Sequence, residues 1–304
     1  MADSLVNSNV NVIKAVPPPL NGKATVYLIP IYISAATAAS PEFHAALYPT
    51  LEAGAPFASA EFGKPTGGLG MVQMIHFHDS EWGDFHEMLI IPGVFEYPDP
   101  KVKGGVAHNR RMTAIYTDTR SGCYNARKRC CSPSADCNFP KHMARFDWKD
   151  HADGTTTIAV FPYKADQSTD ASPWFSFKYT PGWLPGIPMT TKVFAMLGVD
   201  LTLVQPPLPE GKGVGPVPKV GSEEVDSAAG GEAGTEEIGT DTWAKVLPYQ
   251  YTPNSVLGWG DTTRPDGTFF APFTTSASTL AIKMTDADVV LPVGERGATP
   301  GKKD

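Results

Sequence analysis

The sequence predicts a mainly β protein of α+β type, an antiparallel barrel or sandwich with few short helices. Three observations carry that expectation. Gly and Pro stand at 29 each in 304 residues, while charged residues make up only 19%. Chains so rich in turn formers build sheets rather than helix bundles. Short segments dense in β-branched and aromatic residues recur along the chain, bounded by Gly, Pro, Asp and Ser, which is the pattern of strands between turns. Long runs with helical periodicity are few.

The elements follow in order. Val16-Pro17-Pro18-Pro19-Leu20 is an extended lead-in, because proline fixes φ and biases the preceding residue away from helix. Residues 24–34 read as a strand, with Pro30 marking an edge or a bulge. Residues 40–51 suit a short helix with Ser40 as N-cap and Pro41 at its first position. Strands are expected at 71–77, at 85–91 with Pro92-Gly93 closing it, and at 112–118. Residues 141–148 and 155–161 form a hairpin around Asp153-Gly154. Residues 174–179 alternate as a strand, 181–188 hold too much Pro and Gly for regular structure, 190–197 suit a helical turn or two, and 199–204 a short strand. Residues 206–241 hold no aromatic and are dense in Gly, Pro, Ser, Ala and Glu. Such a segment buries too little apolar surface to offset its ordering entropy. It reads as a mobile acidic insertion within a single domain spanning 1–304, and the aromatic-rich residues 243–290 close that domain. No repeat of fixed period is present.

Charge and cysteine usage bound the partners. A net charge of −7 and a pI of about 5.5 leave no footprint for nucleic acid, which needs clustered Lys and Arg. The densest basic run, Arg127-Lys128-Arg129, reads as a solvated loop. No stretch reaches the roughly 18 apolar residues of a membrane span, and the polar N-terminal run 1–11 lacks the pattern of a secretory signal. The expectation is a cytoplasmic protein with a small-molecule ligand. Cys123, Cys130, Cys131 and Cys137 do not show the paired spacing of zinc sites. They read as thiols on a surface loop, a disulfide being disfavoured in a reducing compartment.

Two segments carry the strongest signal. One is Gly83-Asp84-Phe85-His86-Glu87-Met88-Leu89-Ile90-Ile91-Pro92-Gly93; the other is Asn138-Phe139-Pro140-Lys141-His142-Met143-Ala144-Arg145-Phe146. Together, in this order and spacing, they resemble the motifs of the acetoacetate decarboxylase family, and the second is most similar to its divergent fungal branch. The resemblance implies a barrel or sandwich of that type and a carbon–carbon lyase chemistry without a cofactor. A buried lysine attacks the ketone of a 3-oxo acid, and the protonated imine takes up the electrons as CO₂ leaves. By position Lys141 is the nucleophile and Glu87 the carboxylate that polarises or carries protons. The family's tendency to assemble also implies a homo-oligomer.

An ordinary lysine is protonated near neutrality, with a pKa of ~10.4, and an ammonium has no lone pair. A nucleophilic lysine must therefore be held deprotonated by burial or a neighbouring cation; the decarboxylase itself is a known example of the second. On a strand, Lys141, Met143, Arg145 and Asp147 share one face and His142, Ala144, Phe146 and Trp148 the other. Arg145 is thus placed to approach Lys141 or a substrate carboxylate, with Met143 and His142 as further candidate contacts. His142 stands where the family pattern has a second lysine. Residues 126–137 form an insertion before the lysine motif, and Lys23 is the only cation near the position of the family's N-terminal arginine.

Two other readings have their own residues. The same fold could serve as a non-catalytic binder of an apolar small molecule. His76-x-His78, with Glu81 and His86 nearby, partly matches the first cupin motif and gives a third reading, a cupin-like metal enzyme. The spacing to Glu81 is short and the second cupin motif is missing, so no metal is expected, and these residues read as the polar end of a strand with 79–83 as its turn.

Overall fold

The computed structural model describes residues 12–14, 16, 19–99, 102–127, 137–163, 172–211, 223–225, 237–263 and 279–296. Nine strands close into a barrel. They are β1 (Leu20–Ile33), β2 (Lys64–Ser80), β3 (Phe85–Ile91), β4 (Ala114–Thr117), β5 (Lys141–Asp150), β6 (Thr156–Pro162), β7 (Phe175–Pro181), β8 (Tyr249–Thr263) and β9 (Thr279–Leu291). Their order around the ring is their order along the chain, and β9 returns to pair with β1. The expected β-rich fold is therefore a barrel and not a sandwich.

Nine is an odd number. Strands that alternate in direction all the way round must be even in number, so one neighbouring pair has to run parallel. That pair is β4 and β5, with Ile115 beside Lys141 and Thr117 beside Met143. The other pairs around the ring are antiparallel. Parallel neighbours cannot be joined by a tight turn and need a crossover. Here the crossover contains the helix Arg120–Arg127.

Residues directly opposite in a ladder share a face, so the register fixes which side chains point inward. Tyr27, Met74, Met88, Tyr116 and His142 are successive partners on one side, as are Phe146, Val160 and Phe175. All of these but His142 and Phe146 belong, with Phe177, Tyr179 and Ala281, to the core cluster that draws on strands all round the ring, and Phe146 packs against that cluster. This is the lumen, and it is filled. The ring of Tyr27 lies 5.6 Å from Trp148, 5.7 Å from Phe177 and 5.1 Å from Tyr179. Room for them comes from β8, which contributes Gly258 and Gly260. A Cβ on Gly260 would lie 2.6 Å from Phe177, and one on Gly258 would lie 2.7 Å from Tyr179. The helix Pro41–Ala45, capped by Ser40, and its surroundings add Phe43, Leu47 and Tyr48 to the same cluster.

The opposite set of side chains builds a second core on the outside of β1 to β4 and β9. Leu28, Ile75, Phe77, Phe85, Leu89, Ile115 and Met284 pack there with Trp82 from the β2–β3 turn and with Ala126, Phe139, Leu203 and Val246 from the covering segments. Across the barrel, the outward Lys178 of β7 is exposed.

A side sheet extends from the start of β2, through Val94–Pro98, Val106–Arg110, Leu203–Gln205 and Ala244–Val246 to Glu295–Arg296. The chain passes into it at Pro92-Gly93. Gly93 has φ +128°, and a Cβ there would lie 2.6 Å from the carbonyl oxygen of Gly67. Only glycine permits both the backbone angle and the approach.

Several expectations change in detail. The helix expected over 40–51 is two short pieces, Pro41–Ala45 and Thr50–Ala53, and the strand at 112–118 is trimmed to Ala114–Thr117. A strand, Ile187–Thr190, begins inside the segment read as irregular. Arg127 is not on a solvated loop: it ends a helix and is fully buried, while Lys128 and Arg129 lie outside the described residues. Cys123 and Cys137 are buried rather than on a surface loop, and Cys137 is disulfide-bonded. Both ends of the acidic segment 206–241 join the fold, where Gly211 donates to Glu237 and Thr240 to Leu208. Its residues 223–225 pair with 12–14, and the rest of its middle lies outside the described residues. No described helix is long and apolar enough to cross a membrane.

Because the lumen is filled against bare glycine, Gly260→Ala overpacks it. The expected cost is about 1–3 kcal/mol, read as a lower urea midpoint at unchanged m-value.

Candidate active site

Lys141 is the first residue of β5, at the parallel seam. The approach to it is tightly specified. Asn138 is buried with φ +57°, a left-handed conformation that asparagine tolerates better than most residues. Its side-chain amide donates to the carbonyls of Gln205 and Thr242. Lys141 N–H then bonds back to the Phe139 carbonyl at 2.7 Å, turning the chain tightly at Pro140. The Lys141 carbonyl accepts from Cys123 Sγ and Arg127 Nη1. A backbone held at both its N–H and its C=O presents its side chain in one direction.

That direction is outward, into the second core. Lys141 is 1% exposed. Its Nζ lies 2.5 Å from Glu87 Oε2, 5.1 Å from the centre of the Trp82 ring and 5.4 Å from that of Phe85. Glu87 comes from β3, opposite Thr117 of β4. The two sequence motifs therefore meet through one intervening strand, with their charged residues on the same face. A buried pair of this kind demands close geometry, since two desolvated charges must satisfy each other. Trp82 Nε1 is a buried donor with no hydrogen-bond partner among the described residues.

Comparison with solved structures finds this architecture again. A structure of acetoacetate decarboxylase matches over 99% of this chain and 100% of its own length, at TM-score 0.54 and 11% identity. The enduracididine biosynthesis enzyme MppR matches over 93% of this chain and 89% of its own, at TM-score 0.51 and 13% identity. The chain has the acetoacetate decarboxylase-like fold. No protein-family model and no curated protein matches it.

In this acetoacetate decarboxylase-like barrel, the other residues singled out from the sequence lie apart from the Lys141 amine. Met143 is buried beside Thr117, on the Lys141 face. Arg145 lies further along that face with its guanidinium 3.8 Å from the centre of Phe161, its cross-strand neighbour. Lys23 is paired with Asp288 at the surface. Glu81 accepts from the Asn21 N–H.

His142 points the other way, to the lumen side, where it joins a network the sequence did not announce. Its Nδ1 lies 2.5 Å from Glu237 and its Nε2 2.7 Å from Glu52. Glu52 in turn accepts from Arg127 at 2.9 Å. Arg127 also donates to the carbonyls of Ile238 and Pro209. Burial opposes a charge on His142, but the two carboxylates outweigh it and push its pKa up to about 9. Burial likewise opposes the charge on Glu52, and His142 and Arg127 outweigh it, holding Glu52 below the usual carboxylate range. Glu52, Arg127 and Glu237 carried no signal in the sequence, because partners 75 and 95 residues apart form no local pattern.

On the outer face, further along β2 and β3 from Glu87, lies an apolar pocket. Leu28, Met71, Ile91 and Phe194 line it, with Gln73, Gln250 and Arg110 as polar groups. Gln250 donates to Gln73 at 2.9 Å, and Arg110 Nε is buried without a partner among the described residues. Ile91 and Glu87 are four residues apart on one strand, about 13 Å.

Two outcomes follow. Lys141→Met leaves Glu87 buried and unpaired and costs about 3–5 kcal/mol, as does Glu87→Leu; the double variant loses far less than the sum, measured by a denaturant double-mutant cycle. The folded-state pKa of His142 is above its ordinary value of 6.5. The stability it contributes is therefore complete below about pH 6.5 and lost as pH rises through about 9. Thermal melts across that window show the loss in the parent and not in His142→Gln.

Proposed function

We propose that this protein is a lysine-dependent Schiff-base enzyme, a decarboxylase or related carbon–carbon lyase, acting on a small 3-oxo acid or ketone. The observation that carries the reading is the buried Lys141 amine at 2.5 Å from Glu87, at the position of the nucleophile in the resembling motif. Transfer of the ammonium proton to Glu87 gives the free amine, which attacks the keto carbon. The resulting carbinolamine loses water to form a protonated imine. The bond to the carboxylate breaks, its electrons move into the imine, CO₂ leaves, and the enamine remains. A proton returned to carbon, from Glu87 or water, and hydrolysis of the imine release the ketone and restore Lys141. The unpartnered indole N–H of Trp82 beside the amine supplies a donor for a substrate oxygen. A structure of MppR in complex with pyruvate, a 2-oxo acid, supports a ketone-bearing acid as the kind of substrate, though not the position of its keto group.

A second reading rests on the apolar pocket between the barrel wall and its covering segments: a binder of an apolar small molecule with no covalent chemistry.

Borohydride reduction during incubation with acetoacetate and larger 3-oxo acids separates the two. The expected result is an adduct on the Lys141 peptide, absent in Lys141→Ala. Glu87→Gln slows its formation by about 10²-fold or more, while Trp82→Phe raises the substrate concentration required. Failure of every carbonyl compound to give an adduct rejects the lyase and leaves the binder.

A further inference from the structure

The barrel carries a second cluster of reactive side chains, on the lumen side of the wall that bears Lys141 on its outside. His76 and His78 sit near the end of β2, and Asp84 immediately precedes β3. One ligand atom from each of the three lies within 4.8 Å of the others. His76 Nε2 is 3.1 Å from Asp84 Oδ1, and the rings of His76 and His78 are 4.1 Å apart. Glu81, which the sequence offered as the acidic member, is engaged with Asn21 instead.

The surroundings hold these groups in place. The register between β1 and β2 slips at His78, where two residues of β2 are matched to one step of β1. A bulge of this kind re-aims a side chain and is frequent beside functional sites. Thr25 hydrogen-bonds His78 Nε2 at 2.9 Å, so one ring nitrogen is fixed by a neighbour and the other is left for a ligand, as in metal-binding imidazoles. His76 is stacked on His86 at 4.2 Å and lies 5.7 Å from Trp148. His86 is itself oriented by Asp118 at 2.7 Å.

We propose that His76, His78 and Asp84 bind one divalent transition-metal ion of the Zn²⁺ type, with a coordination position left open to solvent. Two imidazoles and one carboxylate are a borderline, nitrogen-rich set that suits Zn²⁺, Co²⁺ or Ni²⁺ over Mg²⁺ or Ca²⁺. Tetrahedral ligands at ~2.0–2.1 Å from zinc lie ~3.3 Å from one another. His78 and Asp84 are exposed, so their side chains reach that spacing by small rotations without disturbing the core. The site joins β2 to the start of β3 across the turn between them. It is independent of the Schiff-base reading, because β3 directs His86 to one side and Glu87 to the other.

The test is calorimetric titration of the chelator-treated, dialysed protein with Zn²⁺. The expected result is one equivalent bound. His78→Ala and Asp84→Asn weaken binding at least tenfold, Thr25→Val weakens it about tenfold, and the exposed His108→Ala leaves it unchanged. Cobalt substitution gives the visible spectrum of a site containing imidazole in the parent and not in His78→Ala. Circular dichroism of each variant checks that the fold is intact, and the exposed Asp84→Asn and His78→Ala serve even where the stacked His76 does not tolerate change. No binding in the parent, or binding equally tight in His78→Ala and Asp84→Asn, overturns the proposal.

Discussion

Parity governs this molecule. A closed ring of nine strands must contain one parallel pair, and a parallel pair must be bridged by a crossover rather than a turn. The crossover here brings a helix and a tightly bonded approach segment against the first residue of β5, and that residue is Lys141. Cys123 and Arg127 from the helix bind the Lys141 carbonyl, and Asn138 sets the angle of approach. The irregularity that ring closure demands is thus a place where the backbone is bonded at both its N–H and its C=O and fixes the direction of a side chain. Precise placement of a buried amine therefore follows from topology, not from a special loop.

The alternation of a strand separates two charged systems that sequence proximity would confuse. Lys141 and His142 are adjacent, yet one pairs with Glu87 on the outside and the other with Glu52 and Glu237 on the inside. This gives a physical account of why a histidine can stand where the resembling family has a second lysine. The lumen-side partners here are two carboxylates, and an imidazolium can bond both through its two nitrogens, which one ammonium position does less well. The network also ties both ends of the acidic segment to the crossover helix through Arg127, and one of them, through Glu237, to the strand that carries Lys141.

Much of this was legible in the sequence for local reasons. Most of the strands, the Asp153-Gly154 turn, where Gly154 has φ +82°, and the Ser40-Pro41 helix start depend on near neighbours only. The two motifs pointed to Lys141 and Glu87 through their resemblance to a known family, and the register brings both onto the same face with one strand between them. What could not be read were pairings across long separations. Arg127 sits in a basic run that looks solvated, and its burial is explained by distant partners, Glu52 and the carbonyls of Pro209 and Ile238. Trp82 lies in what looked like a polar turn, yet it covers the Lys141 amine. Arg145 shares a face with Lys141 as alternation requires, but an aromatic neighbour on the next strand engages it. Alternation gives the face and leaves the contact undecided.

The filled lumen has a consequence for how such a protein can diversify. Tyr27, Phe177 and Tyr179 are wedged together against the glycines of β8. The barrel acts as a partition, and its folding determinants face one way while Lys141 faces the other. Around the Lys141 amine the barrel strand β3 supplies Glu87 and Phe85 and the β2–β3 turn supplies Trp82, while Ala126, Phe139, Leu203 and Val246 of the covering segments pack in the same outer core. Those covering segments can lengthen, shorten or change composition without repacking the interior, so the outer face is free to vary while the scaffold stays fixed. Solved structures of the same architecture share only 11–13% identity with this chain, which such a division of labour allows.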